Sequence, residues 1–292
     1  MTGRLYLPPS SRSLVKGDRL LTKTMESERR FAFGENWSRF LQILDDHRIA
    51  GAEKSLKSML GVDTLSGRSF LDIGSGRGLF SLAARNLGAS VHSFDYDPQC
   101  VACAWELKGR YYSDDSAWTI SRGSVLDAAY LKSLGKFDVV YSWGVLHHTG
   151  AMWEALENAV LTVADGGLLF IALYNDQGWI SVAWRMIKKF YCSGFFGKVC
   201  VLGFFIPMFF FVFSLKNLRQ GRNPVAGYGE YRNRRGMSVL HDWIDWLGGY
   251  PYEVAPPKKI IEFCRKKRFD LQKIIPARGL GNNEFIFEKK LP

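Results

Sequence analysis

Three glycines in strict alternation, Gly74, Gly76 and Gly78, follow a short apolar run that ends Phe70-Leu71-Asp72-Ile73. A second carboxylate, Asp95, closes the next apolar run, Val91-His92-Ser93-Phe94, about twenty residues further on. Glycines so placed let a chain turn sharply and bring its backbone close to a ligand, which a Cβ would block. A carboxylate ending the second run can accept both hydroxyls of a ribose. One set before the glycines suits a cationic ligand such as an aminoacyl sulfonium. The spacing rejects two commoner nucleotide readings. A dinucleotide fingerprint needs G-x-G-x-x-G, and Leu79 stands where its third glycine would fall. A phosphate-cradling loop needs Gly-Lys-Ser/Thr, which is absent. Further along, Ser142-Trp143-Gly144-Val145-Leu146-His147-His148-Thr149 offers paired histidines, the side chain whose ordinary pKa suits a base near neutrality.

These groups need elements to carry them, and the hydrophobic patterning supplies an alternating set. It predicts strands near 69–73, 90–94, 118–122, 137–142 and 167–173, with helices at 79–87, 98–108 and 151–163 between them. Such alternation indicates an α/β fold with a parallel sheet and right-handed crossovers. A helix at 257–267 and two strands, 269–275 and 284–288, close the chain as an antiparallel pair. Before the first strand, an aromatic-rich helix over Phe31 to Leu44 and a second helix through Ala52 to Leu60 could close over a bound ligand. In an open α/β sheet the ligand lies beyond the carboxyl ends of the strands, which is where both acids and the histidine loop fall.

The residues from about Gly67 to Tyr174, resuming near His241, resemble the class I S-adenosylmethionine-dependent methyltransferases. The resemblance implies a Rossmann-like seven-stranded sheet with helices on both faces and S-adenosyl-L-methionine as cofactor. It implies that Asp72 and the glycines Gly74, Gly76 and Gly78 hold the methionine end, that Asp95 holds the ribose, and that the loop from Arg122 to Asp127, with Ser124 and Val125, contacts adenine; Ser75, Tyr96 and Trp143 complete the expected cofactor-binding set. Methyl transfer from a sulfonium is an in-line displacement, so acceptor and methyl group must be aligned, water excluded and, for a hydroxyl acceptor, a proton removed. His148, then His147, are the candidate catalytic residues. In layout the chain is similar to the O-methyltransferases of ubiquinone biosynthesis. Those carry a Glu-x-x-Glu-His metal pattern in this loop; here Gly144, His147 and His148 occupy the matching places, both glutamates are missing, and no metal is carried over. Tyr174, Asn175, Trp179, Tyr252 and Glu253 are the candidate acceptor-pocket residues.

At 292 residues and 47% hydrophobic, the chain can bury a large core. Its divisions are expected at 1–60 for an N-terminal arm and lid helices, 61–175 for the cofactor-binding core, 176–250 for an insertion after the fifth strand, and 251–292 for the closing elements. Five cysteines without regular spacing, and no secretory run near Met1, lead to the expectation of a reducing, cytoplasmic setting. Cys100 and Cys103 form a lone C-x-x-C that reads as one apolar helix face. The net charge of +11 is concentrated: residues 185–235 hold ten Lys or Arg against Glu230 alone, a net +9. The same insertion contains the uncharged run Val199 to Leu215, with Gly203 and Pro207 as a place to bend. Both flanks must return to one sheet, so an in-plane or re-entrant contact with an anionic membrane surface is expected, peripheral on the inner face. The acceptor would then be small, amphipathic or lipid-like, and methylated on oxygen. An RNA or protein methyltransferase using the basic insertion, or a non-catalytic partner protein on the same fold, stay open. A phenylalanine-rich run without interleaved charge argues against a nucleic-acid stacking platform. Nothing in the sequence sets an oligomeric state.

Overall fold

A computed structural model describes residues 44–221, 223, 239–277 and 279–292. The expected helix over Phe31 to Leu44 lies, but for Leu44, outside the described residues, as does the whole arm before it.

The chain enters through α1 (Asp46–Leu60), capped by the Asp45 carboxylate on the Arg48 N–H and ended by Gly61 at φ 66°. Ile49, Ala52, Leu56, Met59 and Leu60 recur at helical spacing and are buried. They pack with Leu82 and Ala83 of α2 (Leu79–Asn86), so α1 is part of the core beside the sheet. β1 (Ser69–Ile73) is followed by α2, β2 (Ser90–Asp95), α3 (Pro98–Tyr111), β3 (Trp118–Arg122), α4 (Ala128–Leu134), β4 (Phe137–Trp143), α5 (Met152–Leu161) and β5 (Val163–Tyr174). A 3-10 turn at Leu146–His148 stands between β4 and α5. After the insertion come α9 (Pro257–Lys266), β6 (Phe269–Ile275) and β7 (Asn282–Lys289).

The seven strands lie in the order β3-β2-β1-β4-β5-β7-β6, the first five parallel and β7 antiparallel to β5. One face of the sheet is covered by α1, α2 and α3 and the other by α4, α5 and α9, each over its own apolar cluster. The C-x-x-C falls on α3, where Cys100, Cys103, Ala104 and Leu107 form its buried stripe and both thiols are free. β4 and β5 run slightly longer than the periodicity predicts, because parallel pairing extends as far as a partner strand is available.

The insertion folds as helices: α6 (Trp179–Tyr191), α7 (Phe195–Arg219) and α8 (Val239–Gly248). α7 continues through Pro207 for 25 residues, roughly 37 Å at 1.5 Å per residue. One side of α7 packs on α6 and α8 through Phe205, Phe209, Trp184 and Trp246, with the two indoles 4.2 Å apart. The rest of α7, including Phe195, Phe204 and Phe211, is exposed.

Because Leu56 is fully buried between α1 and α2, Leu56→Ala should cost about 2–5 kcal/mol in urea denaturation. Exposed Lys54→Ala on the same helix should stay within roughly 0.5 kcal/mol of the parent. Equal, small effects at both positions would show that α1 does not belong to the cooperative core.

Candidate active site

The glycine loop is held by backbone and side-chain bonds from the tip of β2. The N–H groups of Gly74 and Ser75 both donate to the Phe94 carbonyl, at 2.9 and 3.1 Å. The Gly76 N–H donates to Asp95 Oδ2 at 2.9 Å, and the Asp97 N–H to Asp95 Oδ1 at 2.9 Å. Gly74, Gly76 and Gly78 all have positive φ, 72°, 54° and 80°, which side chains other than glycine adopt at a cost. A Cβ on Gly74 would stand 2.4 Å from Val145 Cγ1, and one on Gly78 would press on Ala104 at 3.2 Å. At these two positions the missing side chain makes room for protein as well as for any ligand. The Gly74–Val145 contact also fixes the β4 loop against the β1 loop.

Asp72 is buried beneath this loop and accepts a 2.5 Å hydrogen bond from Ser81 Oγ of α2. Burial raises its pKa to about 7, against the Ser81 hydrogen bond, and the Asp95 charge adds to the rise. Burial likewise raises Asp95. Ser75 Oγ is buried with no hydrogen-bond partner among the described residues. A buried carboxylate that is costly to ionise, a second one at a strand tip and an unsatisfied hydroxyl fit a ligand that brings a cation and hydroxyl groups. Sequence reasoning missed Ser81; its signal was a serine on the buried stripe of an otherwise apolar helix.

Of the other residues expected at the cofactor, Tyr96 and Trp143 are half-exposed aromatics at the tips of β2 and β4. The Trp143 indole N–H donates to Glu284 Oε1 of β7 at 3.2 Å. Val125 is buried in the core and its carbonyl accepts from Asn158 Nδ2. Ser124 turns its hydroxyl back to accept from the Leu126 N–H at 3.2 Å, so its loop closes on itself.

The histidines stand on the 3-10 turn after β4 and pack as rings 4.5 Å apart. Tyr174 lies 4.0 Å from the His147 ring and 5.0 Å from Tyr252. The Tyr174 N–H donates to His147 Nδ1 at 3.3 Å, which puts the imidazole proton on Nε2. That Nε2 is buried without a partner among the described residues. His148 Nδ1 lies 2.6 Å from the Pro251 carbonyl, which can only accept, so its proton is on Nδ1 and Nε2 carries the lone pair. Burial, helped by the neighbouring positive charge of Lys188, holds His148 down to about 4 and His147 well below its ordinary value. Both are neutral bases across physiological pH.

Of the acceptor-pocket candidates, Tyr174 and Tyr252 join the histidine cluster. Asn175 spends its side chain on Gly279 and Asn283, holding the β5 and β7 ends together. Glu253 Oε2 accepts from the Met152 N–H at 2.9 Å and caps α5, whose own N-cap residue, Ala151, makes no side-chain bond. Trp179 starts α6 and is 79% exposed, away from the cluster.

Lys188, one of the ten basic residues of the insertion, is 0% exposed. It donates to the Trp246 carbonyl, and its ammonium group lies 4.6 Å from the Trp246 ring centroid and 5.2 Å from that of Tyr252. Burial lowers its pKa to about 7. Arg185, one turn before, donates to the Tyr252 carbonyl at 3.0 Å. Lys188 therefore cannot meet a lipid headgroup, which corrects its place among the surface cations. The helical spacing of 185 and 188 was the available signal.

The raised pKa of Asp72 gives a signed pH dependence. An acid harder to ionise when folded stabilises the chain below its unfolded pKa, 3.8, and loses that contribution as pH rises through about 7. Relative to Asp72→Asn, the ligand-free parent should lose stability between pH 4 and 7, on the order of 4 kcal/mol. Denaturant melts across that range check this, and parallel curves for the two proteins would contradict it.

Residues 71–169 match the family described as "Methyltransferase domain". The chain is 27% identical over 116 residues to a ubiquinone biosynthesis O-methyltransferase of Methylobacterium sp. (strain 4-46), covering 40% of this chain and 45% of the relative. It is 26% identical over 133 residues to that of Pelagibacter ubique (strain HTCC1062), covering 46% and 49%. The matches thus span about half the length of these curated relatives. Among solved structures, it is similar to magnesium protoporphyrin IX methyltransferase of Synechocystis PCC 6803 with bound S-adenosylmethionine, at TM-score 0.50 and 10% identity, covering 96% of this chain and 100% of the other. It is also similar to an O-methyltransferase family protein of Burkholderia thailandensis, at TM-score 0.50 and 15% identity, covering 93% and 68%. At these identities the structural likeness speaks for the fold. Together with the matched segment, it identifies residues 71–169 as a class I S-adenosylmethionine-dependent methyltransferase domain.

Proposed function

We propose that this chain transfers a methyl group from S-adenosylmethionine to an oxygen of a small amphipathic acceptor at an anionic membrane surface. The observation that carries the donor half is the pairing of Asp95 with the Gly76 N–H, which sets a ribose-binding carboxylate against a glycine loop with buried Asp72 beneath it. When bound, S-adenosylmethionine supplies an electrophilic methyl on a sulfonium. Asp72 and Ser75 hold its methionine end and Asp95 its ribose, and Tyr96 and Trp143 complete its site.

On the acceptor side, His148 Nε2 takes the hydroxyl proton, while the bond from Nδ1 to Pro251 keeps the ring in the tautomer that can do so. A base held down to about 4 removes a proton readily only from an acidic hydroxyl, so a phenol-like or enol-like oxygen suits it better than an alcohol. His147, with its proton on Nε2, and Lys188 nearby favour negative charge at that end. Tyr174 and Tyr252 give the pocket its apolar walls.

For the membrane half, support comes from α7. Among the described residues it is the one helix long and apolar enough to cross a membrane by length and composition, and its window is almost wholly unburied. Exposed Lys189 and Lys198 near its start and Lys216 and Arg219 at its end could meet anionic headgroups. Since the chain leaves β5 for α6 and returns after α8 to β6 and β7 of the same sheet, contact along the surface fits better than a span. The ubiquinone enzymes named above suggest, by analogy, a quinone-precursor type of acceptor.

Calorimetry with S-adenosylhomocysteine should show saturable binding that Asp95→Ala abolishes; unchanged affinity would sink the ribose assignment. Flotation on phosphatidylglycerol-containing vesicles should carry the parent and leave Phe204→Glu/Phe211→Glu in the soluble fraction. Equal partitioning of the two would reject the membrane role. Salt-sensitive retention on RNA without flotation would favour a polyanion substrate instead.

A further inference from the structure

Two side chains of β7 lean across β5 to the tip of β4. Glu284 Oε1 accepts from the Trp143 indole at 3.2 Å. Asn282 lies over the next residue, Gly144, where a Cβ would stand 3.9 Å from Asn282 Nδ2. Glu284 and Asn282 are two apart on one strand and therefore share a face of the sheet. Their register partners on β5 are Ala172 and Tyr174. The small, buried Ala172 leaves room for the indole to reach Glu284. Tyr174 carries the same patch on to the histidine turn, its ring 4.0 Å from that of His147 and 5.5 Å from that of His148. Deeper on this face the Tyr141 hydroxyl is buried without a hydrogen-bond partner among the described residues. The Glu284 charge acts on it, which sets that carboxylate over β4 and not outside β7.

This corner holds acceptors and lacks a cation. Glu284 is half-buried, and among the described residues it forms no ion pair. Asn282 Oδ1 is buried with no hydrogen-bond partner among them. A buried oxygen left so is costly until a donor reaches it. The half-exposed Trp143 indole adds a π face. A carboxylate, an amide oxygen and an aromatic face together suit a protonated amine, which brings N–H donors and a positive charge. The histidine end of the same patch has the opposite preference, for a hydroxyl that gives up its proton to His148. Gly144 and His148 are four residues apart, so the two ends lie on the order of 10 Å from each other. We propose that Glu284 and Asn282 form an amine-binding corner of the acceptor site, so that the acceptor carries a protonated amine at one end and the hydroxyl to be methylated at the other. This rests on the methyl-transfer reading given above, with His148 at the hydroxyl end. It narrows the acceptor class, because a neutral phenol would meet the apolar walls and leave this corner unfilled.

Calorimetry on the full chain saturated with S-adenosylhomocysteine tests this with two phenols of one shape. Tyramine ends its two-carbon arm in an ammonium group, and 4-ethylphenol has the same ring and arm without the amine. The parent should bind tyramine about tenfold more tightly than 4-ethylphenol. Glu284→Gln, which keeps an oxygen for the indole, should remove most of that preference. Asn282→Asp adds a second carboxylate and should widen it several-fold. Both variants should keep their affinity for 4-ethylphenol and for S-adenosylhomocysteine within about twofold of the parent. Equal affinities for the two phenols in the parent would overturn the proposal, as would binding of neither, or parallel losses for both in Glu284→Gln. Each of these leaves the donor reading standing, whereas a parent that does not bind S-adenosylhomocysteine overturns that reading and this proposal with it.

Discussion

The Asp95 carboxylate, clamped between the Gly76 and Asp97 amides, is the contact on which the rest of the site depends. Two strand tips, β1 and β2, must meet at a fixed separation for a loop with three positive-φ glycines to form, and this carboxylate joins them. The Phe94 carbonyl adds two further bonds to the same loop. With the loop so held, Gly78 brings α2 against α3 at Ala104, and Gly74 leaves room for Val145. The β4 loop, and the histidines it carries, are therefore positioned by packing onto the same glycines. One local arrangement orients both the donor and the acceptor sides.

The two sides differ in electrical character. At the glycine loop, burial makes two acids, Asp72 and Asp95, hard to ionise. At the histidine turn, burial makes three bases, His147, His148 and Lys188, hard to protonate. Desolvation acts on both in the sense that opposes charge, so each end is left seeking a partner of opposite sign.

The insertion serves the site as well as its surroundings. α6 presents Arg185 and Lys188 to segment 246–253, and that segment in turn receives His148 through Pro251 and caps α5 through Glu253. The same helical unit leaves the outer side of α7 uncovered. An apolar surface and the histidine turn are thus linked by a few backbone carbonyls, although they lie far apart in sequence.

The strand order's parallel half, the glycine loop and both of its acids were legible in the sequence because each is local: apolar runs, turn residues and a carboxylate at a run's end. The C-x-x-C stripe and the antiparallel closing pair were legible for the same reason. Other features were not. Lys188 and Lys189 are adjacent and chemically alike, yet one is fully buried and the other exposed, since a helix turns about 100° between them. Glu253 reads as a pocket acid and caps a helix a hundred residues earlier. Pro207 reads as a place to bend, but only the rest of α7 decides whether one helix continues past the missing bond, as it does here. The sequence by itself determined the domain's class and its glycine loop, which depend on residue type and short spacing. Only the tertiary structure decided which histidine nitrogen is basic, which lysine faces inward and which tyrosine lacks a partner, because burial and hydrogen-bond geometry arise from segments that meet only in the folded chain.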